Sequence, residues 1–315
     1  MQEIPLVSIA GLVDGSSERR QQIADQIGRA CREVGFFYIS DHGLPTAMMT
    51  QLFEEARRFF ALTVAEKQQL SIKRSPHNRG YIGLADERLN PEAGADMKEA
   101  FNIGVDLAED HPDVLAGKAF RGSNFWPALP GWRGLMLDYF AACLALGRTV
   151  HCGLSLDLGL PEQFFEQHLD NPIATLRLLH YPASAGQVRR RDGGAGAHTD
   201  YGNITLLATD GVSGLEVLTR QGEWIDAPSI PGAFICNIGD CLMRWSNDTY
   251  VSTAHRVRPP ERERYSIAFF LEVNPDSQID PQHIFPDQPP KYPPVSCADY
   301  LRGRLDATYD HRQQP

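Results

Sequence analysis

Apolar residues recur at helical spacing over the first half of the chain. Between residues 16 and 34 they return every three or four positions behind a serine-rich start, which predicts an amphipathic helix that ends at Gly35. Three further segments predict helices: MMTQLFEEARRFFAL, VAEKQQL and GWRGLMLDYFAACLALGRTVHCGLSL. FFYIS predicts a short strand. Residues 70–130 are rich in Gly, Pro, Asn and Asp and predict long loops with short strands, and loops that long in a compact domain are typical of functional lids.

From about residue 171 the pattern changes to short β-rich runs separated by turn residues. The runs are ATLRLLHY, ITLLATD, LEVLT, EWIDAP, AFICNI, VSTAHRV and YSIAFFLEV. So many short strands at even spacing predict an antiparallel sandwich or barrel, with the helical part packed against it. We therefore expect one integrated unit with a helical and loop region over residues 1–170, a β core over 171–275 and a C-terminal tail with a helix around CADYLRGRL over 276–315.

The formal net charge of -10 and the pI near 5.5 argue against nucleic acid or an anionic membrane surface as the main partner. The basic run RRRD at 189–192 is interpreted as a solvated loop. No stretch approaches the roughly 20 apolar residues that cross a bilayer, and the start lacks a secretory signal, so we expect a cytoplasmic protein. The six cysteines show no CxxC spacing and are expected to be reduced core residues. The oligomeric state stays open.

A histidine and an aspartate stand one residue apart in AHTDYGNITLL. Side chains two apart on an extended segment point to the same side, so His198 and Asp200 can bind one ion while Thr199 turns away. The pair alone also fits a hydrogen-bonded turn. His255, in the strand-like segment YVSTAHRV, supplies a second histidine that can fold back beside the first. Two histidines and one carboxylate on one face of an octahedral ion suit non-haem Fe(II) and leave positions for substrate and dioxygen.

A candidate anion anchor follows in RPPERERYSIAFFLEV. Arg264 and Ser266 share one face of the strand there, and a guanidinium binds a carboxylate through two parallel hydrogen bonds that a hydroxyl can supplement. The alternative is a surface arginine in a charged turn, but Arg264 leads directly into the apolar strand. A pocket that combines the His-x-Asp and His ligands with this pair can chelate a 2-oxo acid and hold its far carboxylate.

These motifs together resemble the 2-oxoglutarate- and Fe(II)-dependent oxygenases of the isopenicillin N synthase group. The resemblance extends from IPLVSIAG to FFLEVNPD. It includes GFFYISDHGLP, ARRFFALTVAEKQQL, RGYIG, DMKEAFNIG and NFWPALPGW before the β core, and LLHYP, AHTDYGNITLL, GLEVL, GEWIDAP, CNIGDCLMRWSNDTYVSTAHRV and RYSIAFFLEVNPD within it. The implied fold is mostly β with flanking helices: a double-stranded β-helix, or distorted jelly roll, with a helical N-terminal part.

The resemblance also implies roles for individual residues. The catalytic iron ligands that it implies are His198, Asp200 and His255. The residues that it assigns to the distal carboxylate of 2-oxoglutarate are Arg264 and Ser266. Tyr181 matches a tyrosine of the family that also reaches the cosubstrate. Leu179 stands where plant members commonly carry the asparagine of Asn-x-Tyr, so one polar contact to the cosubstrate is missing or supplied elsewhere.

Four residues are candidates for contact with the substrate. Arg177 shares a face with Leu179 and Tyr181 and can meet an anionic substrate or the cosubstrate; an ion pair at the barrel mouth explains it equally well. The other three candidates, which match substrate-lining positions of the family, are Tyr81, Phe101 and Tyr201. Aromatic residues beside apolar runs also belong commonly to a core.

The implied reaction uses Fe(II), 2-oxoglutarate and dioxygen to oxidise an unactivated C–H bond of a small molecule, by hydroxylation, desaturation or cyclisation, with release of succinate and CO₂. The alternative within the same group is an oxidase of the isopenicillin N synthase type, which takes all four electrons from its substrate and uses no 2-oxo acid. Since Arg-x-Ser also occurs there, the motif does not separate the two. A third hypothesis, a ligand-binding barrel without turnover, is disfavoured by the complete set of metal ligands and the anchor.

Overall fold

The computed structural model describes residues 3–87, 96–184 and 194–308, so the basic run at 189–192 and the end of the C-terminal tail lie outside the described residues. The helices are α1 (Ser17–Glu33), α2 (Thr46–Phe60), α3 (Val64–Gln69), α4 (Pro112–Leu115), α5 (Trp132–Asp157), α6 (Asp240–Trp245) and α7 (Cys297–Thr308). The strands are β1 (Leu6–Ser8), β2 (Phe36–Ser40), β3 (Gly80–Ile82), β4 (Glu99–Gly104), β5 (Ala174–Tyr181), β6 (Ala195–His198), β7 (Ile204–Thr209), β8 (Leu215–Leu218), β9 (Trp224–Asp226), β10 (Phe234–Ile238), β11 (His255–Val257), β12 (Arg264–Leu271), β13 (Gln278–Ile279) and β14 (Val295–Ser296).

The helices predicted from apolar spacing are confirmed as α1, α2, α3, α5 and α7. α1 begins behind Ser16, whose side chain accepts a hydrogen bond from the backbone N–H of Arg19 at 3.2 Å. It ends before Gly35, which takes a positive φ of 74° that a glycine adopts without strain. No helix in the described part of the chain is both long enough and apolar enough to cross a membrane.

Two sheets form the body of the protein. The large sheet has eight strands in the order β1-β2-β10-β7-β12-β5-β4-β3, and the small sheet has four in the order β6-β11-β8-β9. All neighbours in them are antiparallel except β1 and β2. One hydrophobic cluster lies between the two sheets, and a larger one joins the outer face of the large sheet to α1, α2 and α5. The predicted β core with helices packed against it is therefore present.

The N-terminal region contributes more than helices. β1, β2, β3 and β4 all precede residue 171, yet they form half of the large sheet. β2, the short strand predicted at FFYIS, pairs with β1 on one side and β10 on the other. The large sheet thus contains strands from both sides of the predicted boundary at residue 170. The division of one integrated unit into three regions stays a prediction.

Candidate active site

Two histidines face each other on neighbouring strands of the small sheet. His198 ends β6 and His255 begins β11, and the antiparallel register sets them opposite each other with ring centroids 4.4 Å apart. Asp200 follows just after β6. Its backbone carbonyl accepts a hydrogen bond from the N–H of Asp240 at 2.7 Å, which ties the turn to the start of α6. Three predicted residues from two separate strands therefore meet.

Each of the three side chains brings one ligand atom to a common point. Oδ1 of Asp200 lies 3.6 Å from Nε2 of His255 and 3.9 Å from Nε2 of His198. All three atoms lie within 4.8 Å of one another, and within the described ranges no second group of three or more such side chains meets this closely. Two imidazole nitrogens and one carboxylate oxygen fit the ligand set of non-haem Fe(II).

Backbone and side-chain hydrogen bonds orient the three side chains. Nδ1 of His198 donates to the carbonyl of Gly196 at 2.7 Å, and Nδ1 of His255 to the carbonyl of Thr253 at 3.2 Å. These bonds leave Nε2 of each ring as the nitrogen available to a metal. Oδ2 of Asp200 accepts hydrogen bonds whose donors are Oγ1 of Thr205 at 2.6 Å and Nδ2 of Asn237 at 2.7 Å. Oδ1 is thereby left facing the two histidines.

The protonation of the three groups also suits a metal. Burial, together with the nearby His255, lowers the pKa of His198 to about 4, so its imidazole is neutral at pH 7. Burial alone would raise the pKa of Asp200, but the two histidines and the hydrogen bonds from Asn237 and Thr205 outweigh it and lower the pKa. A neutral imidazole and an ionised carboxylate are the forms that bind metal ions.

A cavity of about 170 Å³ opens beside the three ligands, between the two sheets. Side chains alternate between the two sides of a strand, so every second residue of the central strands β5 and β12 faces this cavity. On β12 and just beyond it the facing residues are Arg264, Ser266, Ala268, Phe270 and Glu272. On β5 they are Thr175, Arg177, Leu179 and Tyr181. The walls therefore combine aliphatic surface with a few buried charges.

Arg264 and its neighbours form a buried cationic end of the cavity. Arg264 is 1% exposed, and its Nε donates to the carbonyl of Val212 at 3.2 Å. Its Nη1 donates to Oγ of Ser266 at 3.3 Å, and its guanidinium stands 4.9 Å from the centroid of the Tyr181 ring. Leu179 is paired with Ser266 in the register of β5 and β12 and adds only aliphatic surface. A guanidinium and a hydroxyl together suit a carboxylate.

Two family models match the chain: the N-terminal model of the non-haem dioxygenases in morphine synthesis over residues 4–129, and the model of the 2OG-Fe(II) oxygenase superfamily over residues 162–273. The 2-oxoglutarate-Fe(II) type oxidoreductase hxnY of Emericella nidulans is 35% identical over 314 residues, which cover 97% of this chain and 90% of that protein. Homoarginine-6-hydroxylase of Oryza sativa subsp. japonica is 39% identical over 292 residues, or 88% of each chain. The chain belongs to the 2OG-Fe(II) oxygenase superfamily.

A solved structure of the same superfamily carries the same fold. It is a full-length Neurospora crassa protein in complex with alpha-KG (2-oxoglutarate) and thymine, which has a TM-score of 0.83 and 31% identity over 96% of both chains. The predicted jelly roll and the predicted resemblance are thus confirmed. The protein is a non-haem oxygenase whose cofactors are Fe(II) and the cosubstrate 2-oxoglutarate.

The structure brings two of the four predicted substrate contacts of the oxygenase to the cavity. Arg177 and Tyr201 line it, whereas Tyr81 and Phe101 do not. Tyr81 and Phe101 pair with each other across β3 and β4 and pack into the large core cluster, because odd-numbered positions of β4 face away from the cavity. Arg177 forms an ion pair with Glu87 at 2.5 Å. An ion pair was the alternative to substrate contact that the sequence left open for Arg177. Contact of Arg177 and Tyr201 with a substrate stays a prediction.

The cavity of the oxygenase is also lined by polar residues that the sequence motifs missed, among them Lys98, Asn102 and Glu272. Lys98 is 3% exposed and lies 3.0 Å from Glu87. Burial would lower the pKa of Lys98, but the carboxylates of Glu87 and Asp96 raise it above its ordinary value. Extending the alternation of Arg264 and Ser266 along β12 leads to Glu272, so that periodicity is the signal that finds it.

Lys98 also connects the cavity to the metal ligands through the backbone. Asp96, which forms an ion pair with Lys98, accepts a hydrogen bond from the N–H of Gly196 at 3.1 Å. The carbonyl of Gly196 in turn accepts the hydrogen bond from His198. The buried charges therefore hold the strand that carries the first histidine.

Proposed function

We propose that this oxygenase binds Fe(II) through His198, Asp200 and His255, and the distal carboxylate of 2-oxoglutarate through Arg264 and Ser266. The observation that carries the proposal is the shared cavity: three convergent ligand atoms and a buried guanidinium line the same space. A dicarboxylate that chelates the metal at one end and meets a guanidinium at the other satisfies both groups. The ring of Tyr181, beside that guanidinium, supports its assignment to the cosubstrate site.

We further propose that the reaction oxidises an unactivated C–H bond of a small molecule, by hydroxylation, desaturation or cyclisation. In a hydroxylation, one oxygen atom of O₂ enters the substrate and the other enters succinate, while 2-oxoglutarate loses CO₂. The substrate and 2-oxoglutarate each lose two electrons, which together reduce O₂. Fe(II), when bound, supplies the redox chemistry that activates dioxygen.

The residues of the chain contribute position and shielding. Hydrogen bonds from Thr205 and Asn237 turn Oδ1 of Asp200 toward the histidines, so the ligand set occupies one side of the site and leaves the cavity side open. Arg264 orients the cosubstrate by holding its carboxylate in a fixed direction. Aliphatic side chains such as Leu179 and Leu207 exclude water from the space where the C–H bond is oxidised.

Anaerobic titration with Fe(II) and then 2-oxoglutarate, followed by a succinate-release screen, tests the proposal. We expect Asp200→Ala to abolish Fe(II) binding, because the carboxylate supplies the single anionic ligand. Asp226→Ala, which removes an exposed carboxylate on β9, is the matched control and should bind Fe(II) normally. Fe(II) binding by Asp200→Ala with the affinity of the unmodified protein would contradict the assignment.

The stoichiometry of succinate separates the proposed reaction from that of an oxidase of the isopenicillin N synthase type. An oxidase that takes all four electrons from its substrate consumes no 2-oxoglutarate. We expect one succinate for each substrate molecule oxidised. The first substrate screen includes homoarginine, because a relative is named as a homoarginine hydroxylase. It also includes thymine, which is bound in the similar Neurospora crassa structure.

A further inference from the structure

Several buried side-chain oxygen atoms of the cavity wall, Oδ1 of Asn78 among them, have no hydrogen-bond partner among the described residues. Three of them belong to residues that are 1%, 4% and 5% exposed, namely Oδ1 of Asn102, Oε1 of Glu87 and Oε2 of Glu272. Buried polar atoms in native proteins are nearly always hydrogen-bonded. Amide and carboxylate oxygens accept hydrogen bonds. A ligand that forms hydrogen bonds with all three must therefore bring donors.

Asn102 lies on the cavity side of its strand. Asn102 lies on β4 opposite Arg177 of β5, on the face that lines the cavity. Its Nδ2 donates to the backbone carbonyl of Asn78 at 3.4 Å. The amide nitrogen is thus engaged with the backbone, which leaves Oδ1 as the atom able to accept a further hydrogen bond.

Glu272 stands at the opposite end of β12 from Arg264, where its backbone N–H donates to the carbonyl of Ile173 at 2.9 Å. The chain makes room for this side chain. A Cβ atom on Gly202 would lie 2.5 Å from Oε1 of Glu272, so glycine at this position, two residues after Asp200, lets the carboxyl group approach the turn that carries the metal ligand.

The carboxyl group of Glu272 is not paired as that of Glu87 is: burial and the nearby Asp200 raise its pKa to about 8, so at pH 7 it is ionised mainly when a cationic ligand binds. Glu87, the other glutamate that lines the cavity, forms ion pairs with Lys98 and Arg177. Arg79 lies near Glu272 but donates to the carbonyl of Phe120 at 3.1 Å, and no described residue forms an ion pair with Glu272. A buried carboxyl group without an ion-pair partner, one of whose oxygens accepts no hydrogen bond, calls for a ligand that is a strong hydrogen-bond donor.

On the basis of the proposed function, we propose that the substrate is a small nitrogen compound with at least two N–H groups, which donate to Glu272 and Asn102. Two classes of compound carry such N–H groups: cations such as a guanidinium, and neutral cyclic ureas or lactams. The bound substrate would then occupy the end of the cavity that the 2-oxoglutarate anchor leaves open. Its N–H groups fix its orientation, and a C–H bond beside them faces the metal ligands.

Saturation-transfer NMR tests this inference on the full-length protein loaded with Zn(II), a diamagnetic substitute for Fe(II), and 2-oxoglutarate. The N–H probes are methylguanidinium and 2-imidazolidinone. Their counterparts without N–H groups are tetramethylammonium and 1,3-dimethyl-2-imidazolidinone. We expect at least one N–H probe to bind about tenfold or more tightly than its counterpart, because only the N–H form satisfies the buried oxygens.

Two variants of Glu272 distinguish the cation from the neutral ligand. Glu272→Gln keeps an acceptor oxygen and removes the charge, so it should weaken methylguanidinium binding about tenfold and change 2-imidazolidinone binding about threefold at most. Glu272→Leu removes the acceptor and should weaken both. Glu216→Gln, which neutralises a buried glutamate outside the cavity wall, is the control and should leave probe binding unchanged.

The outcomes separate this inference from the proposed function. If Zn(II) and 2-oxoglutarate bind while N–H probes bind no better than their methylated counterparts, the inference is overturned and the proposed function stands. Unchanged probe binding in both Glu272 variants, with normal circular dichroism and cofactor binding, overturns it as well. If neither Zn(II) nor 2-oxoglutarate binds, the proposed function fails, and the inference fails with it.

Discussion

The orientation of Asp200 depends on two neighbouring side chains, and this dependence can be measured. Thr205→Val keeps the shape of the side chain and removes the 2.6 Å hydrogen bond to Oδ2, while the 2.7 Å bond from Asn237 remains. A hydrogen bond to a charged acceptor contributes about 1.5–3 kcal/mol. At about 1.4 kcal/mol for each factor of ten, we expect the affinity for a divalent metal to fall about 10- to 100-fold.

Anaerobic calorimetric titration with Fe(II), or with Mn(II) as a redox-stable substitute, measures this affinity directly. Thr209→Val is the matched control. It makes the same chemical change on the same strand, at a position that is paired with Ser266 and contacts neither histidine nor Asp200. We expect the control to bind metal like the unmodified protein. Asn237→Ala should lower the affinity to a similar extent as Thr205→Val, and the double variant should lower it further.

Two results would refute this reasoning. Metal affinity that is unchanged in both Thr205→Val and Asn237→Ala would show that neither hydrogen bond orients the carboxylate. An equal loss in Thr209→Val would show that the effect comes from a disturbed β7 rather than from Asp200. Urea unfolding of each variant separates a local effect on the ligand from a general loss of stability.

Three further predictions concern the anchor and the core. Arg264→Lys loses the fork that holds a carboxylate through two bonds, so the half-saturating 2-oxoglutarate concentration should rise about tenfold or more with unchanged Mn(II) affinity. Glu99→Gln breaks a buried ion pair in which Glu99 lies 2.7 Å from Lys67, and urea unfolding should show a loss of about 3–5 kcal/mol. Burial would raise the pKa of Glu99, but hydrogen bonds from its neighbours lower it below the ordinary 4.5, so its contribution is present above that pH and lost below it; the variant should lose less stability in acid. In Gly28→Ala the new methyl group would lie 1.9 Å from the carboxylate of Asp157, and unfolding should show a loss of about 1–3 kcal/mol.

The candidate ligand set could be proposed from the sequence because most of its geometry is local. His198 and Asp200 are two residues apart on an extended segment, so their common direction follows from strand geometry alone. The partnership with His255 needed only that two strands become neighbours, and β6 and β11 do so. Arg264 and Ser266 follow the same rule on β12. In both pairs, a spacing of two residues places the two side chains on the same face of an extended segment.

The wall of the cavity could not be predicted in the same way. All six residues of β4 are buried, so no alternation of polar and apolar side chains shows which face meets the cavity and which meets the helices. The resemblance to the family pointed to Phe101 and Tyr81, and the sequence pattern offered no correction, whereas the residues that line the cavity from this segment are Lys98 and Asn102. The face was decided by the pairing of β4 with β5, which lies more than 70 residues away along the chain.

β12 and the residue after it carry side chains of both proposed binding sites, one at each end of the cavity. One face of this strand and its continuation presents Arg264 and Ser266 at one end and Glu272 at the other, with small or aromatic residues between them. A shift of one residue in its register would turn every one of these side chains into the opposite core. The strand is paired along its length with β5 on one side and β7 on the other, and this double pairing fixes the register. The cosubstrate end and the proposed N–H-binding end are therefore held at a constant separation, and the metal ligands of the small sheet face the space between the two sheets.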